Sequence, residues 1–507
     1  MKIIPRLNLG QQFLTGWKIS PWAMGGLWVV LAGLAHGQIF VTDATNGTIG
    51  QYDFSGAAIN PALIAGLSNP HGLAISGSNI FVVQRDTASL GEYTTAGATV
   101  NASLVTGFTT PSDVVVSGNN LYVTDVNANT VGEFSTSGAV VNATLISNLD
   151  GPTGLAVSGN NLYVVNNANN TIGEYDATSG AVINATLVTG LKDPYGIVVL
   201  GGNLFVANRN NGKIAEYNAT TGAAVNTALV QALALPFGLA TDGVNLYVAS
   251  TTNKQVGEYV AANGTTVNTS LLTGFKDPYG VAVALAAPDI TCPPVLDAVV
   301  AGVNATFNVA ASGEPAPTYQ WQVSTDGGVT WNNVSGNAYA GGTTATLTVN
   351  AATTTQLGYQ YQVVLSNLAG LTTTTPVPLV VGTSNAKLAW LQNNFSLTQL
   401  GLPSVVGDLA TPANDGIFNL IKYALNLNPL VNGQSFLPQP TLSAGNLVLV
   451  FQAPQSDLSY TVQASTDLSS WSTTGVNTQV NGTQITASYA IPGNTPAFLR
   501  ILVAPAP

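Results

Sequence analysis

Charge is scarce in this chain. Of 507 residues only 7% are Asp, Glu, Lys or Arg, against about 25% in an ordinary soluble protein. There are 12 Lys and Arg against 23 Asp and Glu, a formal charge of −11. So few cations exclude a nucleic-acid binder, which must neutralise phosphates. Cys292 is the sole cysteine, so no disulfide can form within the chain. No Cys/His metal spacing, Walker loop, nucleotide fingerprint or Gly-x-Ser-x-Gly elbow is present. The hydrophobic content, 46%, is ordinary and excludes a charge-driven disordered chain. What fills the polar half is Asn, Thr, Ser, Gly and Gln.

The N-terminus reads as a secretory signal over 1–37. Lys2, Arg6 and Lys18 precede an apolar stretch at 21–34, and Ala35-His36-Gly37 offers small residues for cleavage. That stretch is shorter than the roughly 20 residues of a membrane span. Cleavage removes three cations and takes the charge from −11 to −14. It also leaves His71 as the sole histidine. The expected mature chain has no transmembrane span and is secreted or held at the cell surface.

The next 250 residues repeat. Gly50-Gln51-Tyr52, Gly91-Glu92-Tyr93, Gly132-Glu133-Phe134, Gly173-Glu174-Tyr175, Ala215-Glu216-Tyr217 and Gly257-Glu258-Tyr259 are spaced by 41, 41, 41, 42 and 42 residues. Asn-Leu-Tyr-Val, Val-Asn-Ala-Thr-Leu and Pro-x-Gly recur in step. Each period holds four short β-type runs, which predicts a propeller blade. Six copies predict a six-bladed β-propeller over 38–287. The repeat starts in a second strand and ends in a first strand, Pro278-Tyr279-Gly280-Val281, so the last segment can close the first blade.

The runs Pro194-Tyr195-Gly196-Ile197-Val198-Val199 and Asn203-Leu204-Phe205-Val206 resemble NHL repeats. The resemblance implies a propeller neighbourhood that includes gluconolactonase-like enzymes, virginiamycin B lyase and pure binding domains. It does not fix an activity.

Two smaller modules are expected downstream. Over 290–382, Gly313-Glu314-Pro315 leading to Trp321, and Tyr359-Gln360-Tyr361-Gln362-Val363, resemble the C and F strands of an immunoglobulin-like sandwich. The resemblance implies a buried Trp321, a tyrosine corner at Tyr361, and Val309 and Val363 in place of the usual disulfide. Cys292 is expected to be a small, partly buried residue near the first strand. Over 384–507, a stripe of Leu388, Leu391, Phe395 and Leu397 predicts a helix, and a second opens at Asn414. Strands follow at 447–451, 460–464, 485–489 and 498–503. With Ser465-Thr466-Asp467-Leu468-Ser469-Ser470-Trp471, this resembles a C-terminal α+β module of secreted bacterial proteins. That family's loop looks built for calcium. Here Thr411, Ala413 and Asp415 fill it, and Lys422 stands where the family has Glu. The loop is expected to have lost its metal, with Lys422 paired to Asp415 or both solvated.

Catalysis in a propeller needs ionisable groups around the channel. The run after each Pro-x-Gly is expected to be the innermost strand, and all six copies lack carboxylate, histidine and amide side chains. The turn before it reads His71, Ser112, Thr153, Tyr195, Phe237 and Tyr279 around the ring, with Asp113 replacing one glycine. Polar groups facing aromatics suit a sugar or other amphipathic ligand. The plainer reading is that the aromatics fill the channel top as local core. The Glu column (Glu92, Glu133, Glu174, Glu216, Glu258) is expected to be solvated or turn-bonded. The expected protein is a bacterial binding or scaffold protein without catalytic residues, metal or cofactor. Its partner is an extracellular carbohydrate or protein. The alternative is a propeller hydrolase or lyase centred near His71 and Asp113.

Overall fold

The computed structural model describes residues 37–493 and 495–506. The expected secretory signal falls, Gly37 apart, outside the described residues. No helix among the described residues is long and apolar enough to cross a membrane.

Each 41- or 42-residue repeat is one four-stranded antiparallel sheet. Pro152–Ser158, Asn161–Asn166, Thr171–Asp176 and Val182–Val188 form one such blade in chain order. Six sheets of this kind form a β-propeller. Their innermost strands are the runs after Pro-x-Gly, each beside the next around a closed ring. Closure is by pairing: Gln38–Asp43 runs antiparallel to Pro278–Ala284, from Gln38 opposite Ala284 to Asp43 opposite Pro278. No blade is left with an open inner seam.

Alternation explains why a second strand such as Asn161–Asn166 carries no charge. In Asn161–Asn166, Leu162 and Val164 pack with Tyr122 and Val131 of the preceding blade. Tyr163 and Val165 pack with Ile197 and Leu204 of the following one. Successive side chains point to opposite faces, and both faces are core. The outer strands are exposed edges. In each, an Asn side chain accepts the N–H two residues on, as Asn142 Oδ1 does from Thr144, and the register shifts there. Such a bulge twists the edge and blunts its pairing. This accounts for the recurring Val-Asn-Ala-Thr.

The Glu column differs from expectation. All five glutamates are buried, at 5–8% exposure. Each accepts an amide hydrogen from the Asn that opens the second strand of its blade: Asn79, Asn120, Asn161, Asn203 and Asn245, at 2.7–2.8 Å. In the first blade Gln51 and Gln38 make the same link. Paired burial replaces solvation because the adjoining blade covers the strand.

Downstream, strands over 286–382 enclose a core that includes Phe307, Leu347, Tyr361 and Leu379. Trp321 is fully buried, its Nε1 donating to Thr344 O. Val309 and Val363 lie in this core. Tyr361 is not a tyrosine corner: its buried hydroxyl bonds no backbone group, and the ring stacks on Phe307 and meets Tyr339 edge-on instead. Cys292 is exposed rather than partly buried, because it ends the strand Ala286–Cys292. The side chain of Leu368 reaches Gly243, on the propeller face opposite the Pro-x-Gly turns.

The last region has four short helices, not two: Asn385–Asn394, Leu397–Leu400, Pro403–Val406 and Asn419–Ala424. Ser384 and Ser396 cap the first two, which splits the apolar stripe at Phe395. The helix expected from Asn414 starts at Asn419, because the Asp415 carboxylate is spent on the loop. Two small sheets complete the region, adding strands Thr441–Ser443 and Val476–Asn481 to those expected.

Candidate functional site at the channel mouth

Within a blade, Pro152 opposes Asn166 and Asn166 opposes Thr171. The start of the innermost strand, the end of the second and the start of the third therefore share one face. All six turns at the start of an innermost strand, five Pro-x-Gly and one Pro111-Ser112-Asp113, ring the channel on this mouth face. Glycine is needed because neighbouring blades touch there: a Cβ on Gly154 would lie 2.1 Å from Tyr195 O, and one on Gly196 2.1 Å from Phe237 O.

All seven mouth residues read from the sequence meet at this end of the channel. Four of them are buried: His71 (3% exposed), Ser112 (1%), Thr153 (4%) and Phe237 (5%). Asp113, Tyr195 and Tyr279 stay partly exposed. The rings interlock. His71 stacks on Tyr279 at 4.1 Å, and Phe237 meets Tyr279 edge-on at 4.6 Å and Tyr195 at 4.7 Å. Tyr195 Oη reaches across one blade to Ser112 Oγ at 3.1 Å. Arg209 lies over Phe237, 4.2 Å from its centroid, and pairs with Asp193 at 3.5 Å. Sequence reading missed Arg209. Its signal was position, directly after the second strand of an aromatic blade.

Below the rings is a cavity of about 280 Å³ lined by valines, leucines and glycines of the inner strands. Asp113 is the carboxylate in its wall. Its Oδ1 accepts from Val114 N and its Oδ2 from Leu155 N, at 2.9 and 3.0 Å. Gly72 makes room for it, since a Cβ there would lie 2.2 Å from Oδ1. Burial pushes the Asp113 carboxyl up to about 6 despite those two N–H donors. Burial pushes His71 down to about 3, aided by Arg85, so its imidazole is neutral. His71 Nδ1 and Thr153 Oγ1 are buried without partners.

A metal does not fit this donor set. One carboxylate already committed to two backbone N–H groups cannot supply the several oxygens a hard cation needs. Among the described residues no group of three or more His, Cys, Asp or Glu could hold an ion.

Fold and site together define a six-bladed β-propeller with a capped, largely apolar central channel. The sequence signature of the virginiamycin B lyase family matches residues 4–285, more than half of the chain, and the chain belongs to that family. Endoglucanase C of Cellulomonas fimi is 43% identical over 95 residues, 19% of this chain and 8% of that protein. The chain thus spans under a tenth of that relative. Among solved structures, virginiamycin B lyase from Staphylococcus aureus is 19% identical, over 45% of this chain and 78% of that one, with a TM-score of 0.37. A nidogen/laminin complex gives 16%, 49%, 98% and 0.43 in the same order. A streptogramin B lyase gives 15%, 67%, 98% and 0.36. At these identities the likeness concerns the fold alone.

Proposed function

We propose that this is a secreted, non-catalytic binding protein whose propeller offers its mouth face to an extracellular ligand. An immunoglobulin-like sandwich at 290–382 acts as spacer, and the module at 384–507 attaches or stabilises. One observation carries the reading. His71, the histidine of the mouth, is buried, neutral and stacked on Tyr279, and no hydrogen bond joins it to Asp113. A general base needs an accessible nitrogen and an aligned partner. The local likeness to a protein named endoglucanase C favours carbohydrate as ligand class.

The test is turnover of virginiamycin B, followed by mass spectrometry of the opened ring. No product above the buffer rate is expected. Product formation abolished by His71→Ala or Asp113→Asn would overturn the reading.

The enzyme alternative keeps one supporting observation. A carboxyl group near pKa 6 in an apolar cavity can exchange protons close to neutral pH. That assay decides against it if Asp113→Asn leaves every measured rate unchanged.

A further inference from the structure

The described residues hold nine cations. Lys387 and Lys422 are buried against Asp408 and Asp415, and Arg500 lies over Trp471. The other six are Arg85, Lys192, Arg209, Lys213, Lys254 and Lys276, and all lie on the mouth face. Register shows this. Arg85 and Arg209 directly follow second strands ending at Gln84 and Asn208. Lys213 pairs with Asn208, and Lys254 precedes Gln255, the partner of Ser250. Lys192 and Lys276 stand two residues before Pro194 and Pro278. Toward the opposite face, the propeller carries Asp53, Asp176, Asp242 and the Glu column, with no cation.

The mouth is itself divided. Five of the six cations belong to 185–284, the half that holds Tyr195, Phe237 and Tyr279. They face Asp193, Asp277 and Asp43, and the Asp43 carboxylate is taken up by the N–H groups of Lys276 and Asp277. The other half sets Arg85 against Asp86, Asp113, Asp125 and Asp150. In a strongly acidic chain, the aromatic half of the mouth is thus a positively charged surface. Lys192, Lys254 and Lys276 are exposed on it, and the Tyr195 and Tyr279 rings are partly so.

We propose that this half of the mouth binds an anionic polysaccharide whose sugar rings carry carboxylates. The proposal rests on the binding reading above and names its ligand class. The partly exposed rings of Tyr195 and Tyr279 offer apolar surface to a sugar. Cations spread over successive blades match charges repeated along a polymer. The surrounding negative charge of the chain repels an anion everywhere else. An acidic peptide offers the charge without the flat apolar ring face.

The experiment is titration calorimetry of the mature chain with polygalacturonate, a neutral glucan and polyglutamate. Polygalacturonate is expected to bind, and to bind more weakly as salt rises. The paired change Lys192→Ser and Lys276→Ser should weaken it by about tenfold, and so should Tyr195→Ala with Tyr279→Ala. Arg500→Gln, away from the mouth, should leave it unchanged. Polyglutamate binding as tight as polygalacturonate overturns the glycan assignment. Neutral glucan binding through the two tyrosines overturns the charge assignment and leaves the binding reading standing. Absence of polygalacturonate binding overturns the inference, whereas virginiamycin B turnover overturns the binding reading itself.

Discussion

Lys422 Nζ lies 2.8 Å from Asp415 Oδ2, with both side chains wholly buried. The ammonium also donates to Pro429 O and Val431 O, each at 3.0 Å. Its three hydrogens thus meet three oxygens. The carboxylate in turn accepts from Ile417 N and Gly433 N. A tethered ammonium sits in a cage of oxygens. Burial opposes charge on Asp415, but the Lys422 ammonium and the two backbone N–H groups outweigh it and hold the carboxyl at about 2.

Lys422→Met should therefore cost about 3–5 kcal/mol, since it strands a buried carboxylate. Urea unfolding of the full chain measures it. Calcium or chelator should not move the melt of the unaltered chain. Lys422→Glu should make the melt calcium-dependent, and a chelator-sensitive melt without that change would refute the cage reading. The pH dependence follows from the sign. Asp415 is depressed below its ordinary 3.8, so its stabilisation is present above that value and is lost as pH falls toward about 2.

Asp113 works in the opposite direction. Its folded value, about 6, lies above its ordinary 3.8. The stabilisation is complete below the lower value and is lost as pH rises through the higher one. Melting of the propeller should accordingly rise as pH is lowered from 7 toward 5. Asp113→Asn should flatten that slope while keeping the fold. An unchanged slope in the variant would place the effect elsewhere, with the Glu column the first candidate.

That column offers a separate test. Burial raises the carboxyls of Glu92, Glu133, Glu174 and Glu258. Each depends on its Asn for a hydrogen bond. Asn161→Ala should remove one of the two side-chain partners of Glu174, leaving Tyr163, and destabilise by about 1 kcal/mol. Glu174→Gln, which keeps a carbonyl acceptor for Asn161, should cost much less. Thermal melts of the two variants side by side check the order.

The period and phase of the repeat were enough to place the blades, the innermost strands and the closing pair of Gln38–Asp43 with Pro278–Ala284. These depend on local runs and on turn residues, which a sequence displays. The burial of Glu174 was not legible, because it depends on the neighbouring blade. A clue existed: in every blade an Asn, or in the first a Gln, stands thirteen residues before the column. The mouth was legible as seven residues, and filling of the channel top by its aromatics as one of two readings, but the partners of each ring were not. Whether Phe237 faces solvent or Tyr279 is settled by ring packing between blades, which spacing does not encode. Tyr361 was expected at a corner, yet only the packing around it determines that its hydroxyl finds no backbone acceptor.

The cap itself can be opened. Tyr195 is held by the Phe237 ring and by one hydrogen bond to Ser112. Tyr195→Phe removes only that bond and should cost about 1 kcal/mol. Tyr195→Ala removes the ring and should expose the cavity beneath to water. The Leu155 amide, which donates to Asp113 inside that cavity, reports the difference. Its hydrogen exchange should stay slow in the Phe variant and become faster in the Ala variant. Equal protection in both would mean that the ring does not seal the channel, and that access to Asp113 runs through the opposite end of the propeller.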